Sequence, residues 1–150
     1  MKIYLDVSCL NRPFDDQDQA RIRIETAAVT LIFERIDAGL WQQVSSEMAV
    51  IEIDAITDAD RQNRVRVLLP QLETIMKLNQ ATFQRSAELE RLGFKPADAV
   101  HVAAAERAEA DVLLSCDDRL CRLAKRRRRD LRVMVANPLD WLKEMEDADA

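Results

Sequence analysis

The chain has 150 residues, 48% hydrophobic and 33% charged, with a formal net charge of −5. That length buries roughly 70% of the unfolded surface in one domain without disulfide or metal staples, and only 2 glycines and 4 prolines leave little room for linkers. The acidic balance argues against an obligate duplex-binding protein, whose affinity comes mainly from Lys and Arg.

The first strand is expected over Lys2–Leu5, ending at Asp6. Asn11 to Asp18 reads as a loop, because Pro13 disfavours helix at Arg12 and Asp and Asn suit turns. Helical spacing then runs from about Ile22 to Leu40 through Ala27, Ala28, Leu31, Ile32 and Ile36, with Gly39 as a stop. Trp41 to Val44 reads as a second strand, and Ser45 or Ser46 caps a helix containing Met48, Val50, Ile51 and Ile56. A helix over residues 60–69 takes its cap from Asp58 or Asp60, while residues 72–78 are ambiguous. A helix from about Asn79 to Leu92 ends at Gly93, and another restarts at Pro96. A strand at 112–115, a helix at 118–125, a strand at 131–135 and a short helix at 138–145 complete the pattern. Residues 1–145 thus read as one domain, and the Asp/Ala-rich residues 146–150 as a flexible tail. Strands separated by helices predict an α/β fold with a small, mostly parallel sheet of four or five short strands.

Three cysteines, Cys9, Cys116 and Cys121, cannot all pair and match no zinc spacing, so they read as reduced, buried thiols. No signal-peptide segment opens the sequence, and no apolar run approaches the roughly 18 residues of a membrane span, which predicts a cytoplasmic protein without a membrane partner.

Four acids stand at strand–helix junctions or on a helix beside one: Asp6, Glu52, Asp98 and Asp117. In an open α/β sheet, ligands bind at the carboxyl edge of the strands. Carboxylates gathered there repel one another, and a hard divalent cation with oxygen ligands removes that penalty. The constellation predicts metal-assisted hydrolysis of a phosphodiester, with polarisation of a phosphoryl oxygen as the ion's contribution. Each acid also has a structural explanation: Asp98 suits the first turn of a helix, Asp117 a cap, Asp6 a loop and Glu52 a solvated helix face. His101, three residues after Asp98, reads as a structural histidine bonded to the backbone or to an acid. Asp16-Gln17-Asp18 has calcium-loop spacing without the glycine and terminal glutamate that such loops need, and reads as a solvated loop. The basic run Lys125 to Arg129 either steers RNA, binds an acidic partner, or is a solvated helix end.

Ile3-Tyr4-Leu5-Asp6-Val7-Ser8, Glu52 six residues after Ser46, Pro96-Ala97-Asp98-Ala99-Val100-His101 and Leu113-Leu114-Ser115-Cys116-Asp117-Asp118 together resemble the PIN-domain family, and within it the small VapC-type ribonuclease toxins. The resemblance covers nearly the whole chain. It implies a PIN-like three-layer α/β/α sandwich in which Asp6, Glu52, Asp98 and Asp117 bind Mg²⁺, or Mn²⁺, and hydrolyse RNA, with Ser8 supporting the site. Glu47 is the alternative to Glu52, and Asp118 to Asp117; Glu52 and Asp117 fit the family's places better. The resemblance further implies a homodimer silenced by a cognate antitoxin peptide, the chain being the toxin of a type II toxin–antitoxin pair. The alternatives are a PIN-domain nuclease of RNA processing without an antitoxin, and a non-catalytic PIN-like binding module.

Overall fold

A computed structural model describes residues 1–149. Four strands form one sheet, β1 (Lys2–Leu5), β2 (Gln42–Val44), β3 (Val112–Leu114) and β4 (Met134–Ala136), in the order β2-β1-β3-β4. Every neighbouring pair is parallel. Parallel neighbours need long crossovers, and these are supplied by helices α1 (Val7–Asn11), α2 (Ala20–Asp37), α3 (Glu47–Asp54), α4 (Ala59–Arg66), α5 (Gln80–Arg91), α6 (Pro96–Arg107) and α7 (Asp118–Arg126), with α8 (Pro138–Asp149) closing the chain.

Side-chain alternation along each strand assigns the two faces. Ile3, Leu5, Val112 and Leu114 enter a core with Leu10 of α1, Val29 and Ile32 of α2, Ile53 of α3, Val65 of α4 and Trp141 of α8. Tyr4, Val44 and Leu113 enter the other, with Leu89 of α5, the Ala103–Ala105 run of α6 and Leu120 of α7. The result is the expected three-layer sandwich. The small alanines of α6 let that helix lie close against the sheet.

Chain punctuation follows local chemistry. Ser46 caps α3, its Oγ accepting from the Met48 amide at 3.2 Å, and Asp58 caps α4. Asn79 and Thr82 form a reciprocal capping box on α5. Gly39 and Gly93 end α2 and α5 at φ +79° and +109°. At each, the glycine and following amides bond back into the last turn: Gly39 to Ile36 and Leu40 to Arg35, then Gly93 to Glu90 and Phe94 to Leu89. The same closure after α6 uses Glu109, at φ +56°.

Several regions differ from the sequence expectation, among them α3, which ends at Asp54 before Ile56, and α4, which ends at Arg66 rather than at 69. The loop expected from Asn11 begins with the last residue of a five-residue helix, α1, which Asp6 caps. The last strand is Met134–Ala136 rather than 131–135, because Arg128–Asp130 winds into a 3-10 turn and delays it. Helix α8 continues to Asp149 through most of the expected 146–150 tail, and Ala150 lies outside the described residues. The ambiguous stretch holds a 3-10 turn at Leu72–Thr74 and one parallel bridge from Met76 to Ser46, a rudiment of a fifth strand.

Two helix ends give a paired stability prediction. Gly93→Ala places a Cβ at a φ that L residues avoid and should cost about 1–3 kcal/mol, while Glu109→Gly relieves its positive φ and should gain on the order of 0.5–1 kcal/mol. Urea denaturation of both variants measures the two shifts, and equal signs would contradict this account.

Candidate active site

Between β1 and β3 the chain changes direction across the sheet: the crossover after β1 leads to β2 on one side, and that after β3 to β4 on the other. Such a switch point leaves a crevice outside the carboxyl ends of the strands. Asp6 follows β1 and caps α1, whereas Asp117 follows β3 and caps α7. Asp98 sits in the first turn of α6, and Glu52 comes from α3.

Asp6 is 6% exposed. Its Oδ1 accepts from the Ser8 hydroxyl and, at 3.2 Å, from the Cys9 amide. Burial pushes its carboxyl above the ordinary range; the His101 ring and the bonds from Ser115, Ser8 and the Cys9 amide oppose that rise. Ser8 also accepts from the Cys116 amide at 2.9 Å, tying α1 to the β3–α7 turn. Asp117 accepts from the Arg119 and Leu120 amides at 2.9 and 3.2 Å, both through Oδ1. Its own amide donates to Ser115 Oγ at 3.1 Å, which fixes the turn.

The Asp98 carboxyl is pushed up to about 6, first by burial and then by the negative charges of Asp117 and Asp6, with Glu52 adding to them. Asp6, Glu52 and Asp117 therefore all lie within electrostatic reach of Asp98. Glu52 is held by His101, whose Nε2 meets Glu52 Oε1. The other ring nitrogen, Nδ1, lies 2.7 Å from the Tyr4 hydroxyl, which lies 2.7 Å from Ser46 Oγ. Nε2–H donates to Glu52, and Nδ1 is bonded to the Tyr4 hydroxyl. Burial pushes the Tyr4 phenol above its usual range, so the hydroxyl keeps its proton.

The alternative acids point elsewhere. Glu47 Oε1 accepts from the Leu78 amide at 2.6 Å, and Asp118 forms a paired contact with Arg21 at 2.6 Å. Arg21 holds the Asp118 carboxyl below its ordinary range. The free thiols are Cys9 and Cys116, both buried, and Cys121, which is half-buried rather than fully buried. Sequence reasoning missed Tyr4 and Ser46 as supports. Their signal was faint: a lone tyrosine within a strand, and a serine whose capping role hid its second bond.

Among the described residues, no three His, Cys, Asp or Glu side chains already converge as a ligand set. The donor chemistry nonetheless suits a hard divalent ion. Asp117 uses only Oδ1 for its local bonds and Glu52 only Oε1, and no described hydrogen bond engages Asp98; Asp6 takes bonds from Ser8, the Cys9 amide and Ser115. Mg²⁺ keeps several waters and needs only one or two direct carboxylates, so acids spaced around a crevice fit it.

The model of the PIN domain matches residues 3–126. The chain belongs to the PIN domain family. PIN domains are generally nucleases, a class of hydrolases. No curated protein matches the sequence. A crystal structure of VapBC2 from Rickettsia felis bound to a DNA fragment from their promoter is similar in fold, with a TM-score of 0.58 at 12% identity, covering 91% of this chain and 98% of that one. Among the described residues, no helix of this PIN domain is long and apolar enough to cross a membrane.

The raised Asp98 gives a signed pH prediction. Its ordinary value is 3.8, and the folded PIN domain keeps the proton to about 6. Its contribution to stability is therefore full below about pH 4 and is lost as the pH rises through about 6. In metal-free protein, Asp98→Asn should be more stable than wild type at about pH 8 by on the order of 1 kcal/mol, after allowance for solvent screening. The gain should vanish toward about pH 4. Urea denaturation at both pH values measures it, and an equal effect at both would rule out charge as the cause.

Proposed function

We propose that this PIN domain is a metal-dependent endoribonuclease, and the toxin of a type II toxin–antitoxin pair. The observation that carries the nuclease reading is the set Asp6, Glu52, Asp98 and Asp117 around one crevice at the switch point. Glu52, Asp98 and Asp117 each carry an oxygen without a described protein partner, and two of the four, Asp6 and Asp98, have proton affinities raised first of all by burial. Carboxylates are kept in such a place when a cation relieves their repulsion.

Asp6, Asp98 and Asp117 would hold Mg²⁺ or Mn²⁺, with Glu52 reaching it directly or through water. The bound ion supplies polarisation of a phosphoryl oxygen and balances charge on the leaving oxygen. Ser8 and the Cys9 amide fix the Asp6 carboxylate through Oδ1. The Arg119 and Leu120 amides do the same for Asp117. His101 prevents Glu52 from swinging into solvent and, through Tyr4, links it to the sheet. No histidine is needed as a general base.

The toxin reading rests on the resemblance and on the similar fold of a VapBC2 structure. Under it, the cytoplasmic partners are an RNA substrate, a second copy of the chain, and an antitoxin peptide that covers the crevice.

Cleavage of a mixed single-stranded RNA pool tests the chemistry. Wild type should cut with Mg²⁺ or Mn²⁺ and not with EDTA, and Asp6→Asn or Asp98→Asn should lower the rate by about 100-fold or more. Equal activity of wild type and both variants would overturn the site. Expression should arrest growth, with relief by the product of the adjacent gene; harmless expression of an active nuclease would overturn the toxin part alone.

A further inference from the structure

Residues 119–132 carry eight cations and one acid, a local charge of +7 within a chain whose remainder carries −12. Arg119, Arg122, Lys125, Arg126, Arg127, Arg128, Arg129 and Arg132 are all exposed. Among the described residues none of these eight forms an ion pair. Elsewhere half of the cations are paired: Arg12, Arg21, Arg35, Arg61, Arg64, Arg66 and Arg85 all meet carboxylates.

The helix dipole does not account for this concentration. It favours Lys125 and Arg126 in the last turn of α7. It disfavours Arg119 in the first turn and has no bearing on Arg127 to Arg132 beyond the helix. Arg119, Arg122 and Arg126 instead share one face at helical spacing. That stripe begins beside the Asp117 cap and runs about 10 Å along α7, away from the four acids. At its far end, a groove of about 630 Å³ has an apolar floor that includes Leu131, Val133 and Val135, beneath Lys125, Arg128 and Arg132. Asp140 and Glu144 line the same groove, which confines a polyanion to the basic side.

We propose that α7 and the turn after it form a phosphate track for single-stranded RNA, holding the strand that flanks the scissile bond, with the groove accepting an unstacked base. The direction of the track rests on the nuclease reading. A charge repeated along the ligand matches the stripe, and a base face matches the apolar floor, whereas a duplex hides its bases. A purely acidic peptide would match the charge but brings no apolar group to the floor.

The test is fluorescence anisotropy of a labelled oligouridylate in EDTA, so that binding is read without cleavage. The combined variant Arg126→Ala, Arg128→Ala and Arg129→Ala should bind about tenfold or more weakly, and its salt slope should fall by about 2, as expected for three lost phosphate contacts. The control Arg64→Ala, Arg66→Ala and Arg91→Ala removes equal charge elsewhere and should bind as wild type does, with circular dichroism confirming both folds. Unchanged affinity and slope in the first variant would overturn the track. So would equal binding of a duplex, or tighter binding of polyglutamate than of RNA, the latter pointing to a peptide surface. If the first variant loses RNA while wild type cuts no RNA with Mg²⁺ or Mn²⁺, the track stands and the nuclease reading falls; cleavage with unchanged binding gives the reverse.

Discussion

The Asp6 carboxylate is the constraint around which the crevice is organised. It sits nearly dry at the end of a central strand, where an ionised group loses most of its hydration. The fold answers with short local bonds. Asp6 starts α1 as its cap, Ser8 returns from that helix to the carboxylate, and the same hydroxyl receives the Cys116 amide from the neighbouring strand's turn. One charge thereby fixes the relative position of β1, α1 and the β3–α7 turn. These bonds do not remove the repulsion between Asp6 and Asp98, which leaves a residual cost in the fold.

Glu52 is positioned differently. Asp6 and Asp117 are caps whose geometry is set by the backbone next to them, but Glu52 lies on the side of α3 and needs a distant support. The buried series Ser46, Tyr4, His101 provides it, crossing from α3 through β1 to α6. Each member is hydrogen-bonded, which matters because an unpaired polar group in that layer would cost more than the bond contributes. His101 lies one turn beyond Asp98 on α6, so a single helix carries one acid and steadies another.

Much of the scaffold was legible because its signals are local. Gly39, Gly93, Pro96, Asp58 and Asn79 mark helix ends through backbone chemistry that does not depend on the rest of the fold. Asp6 and Asp117 were legible as junction acids for the same reason. Helix α1 was not, since five residues hold too little periodicity to separate from a loop and its existence rests on the Asp6 cap. The late start of β4 was hidden because Leu131 and Val133 are apolar without being paired in the sheet. Choosing Glu52 over Glu47 and Asp117 over Asp118 required the family resemblance; in the structure the Leu78 amide engages Glu47 and Arg21 engages Asp118. The link from His101 to Tyr4 joins residues far apart in sequence, and no local pattern announces it.

The two tryptophans of the chain, Trp41 and Trp141, stack edge to face with ring centroids 5.0 Å apart, and the Arg35 guanidinium lies 5.1 Å from the Trp41 ring. Trp41 stands at the entrance to β2, and Trp141 belongs to α8, beyond the stretch matched by the family. The indole emission of this protein therefore comes from one spot. Its spectrum is a built-in gauge of whether the final helix is seated on the sheet, largely blind to events at the acidic crevice.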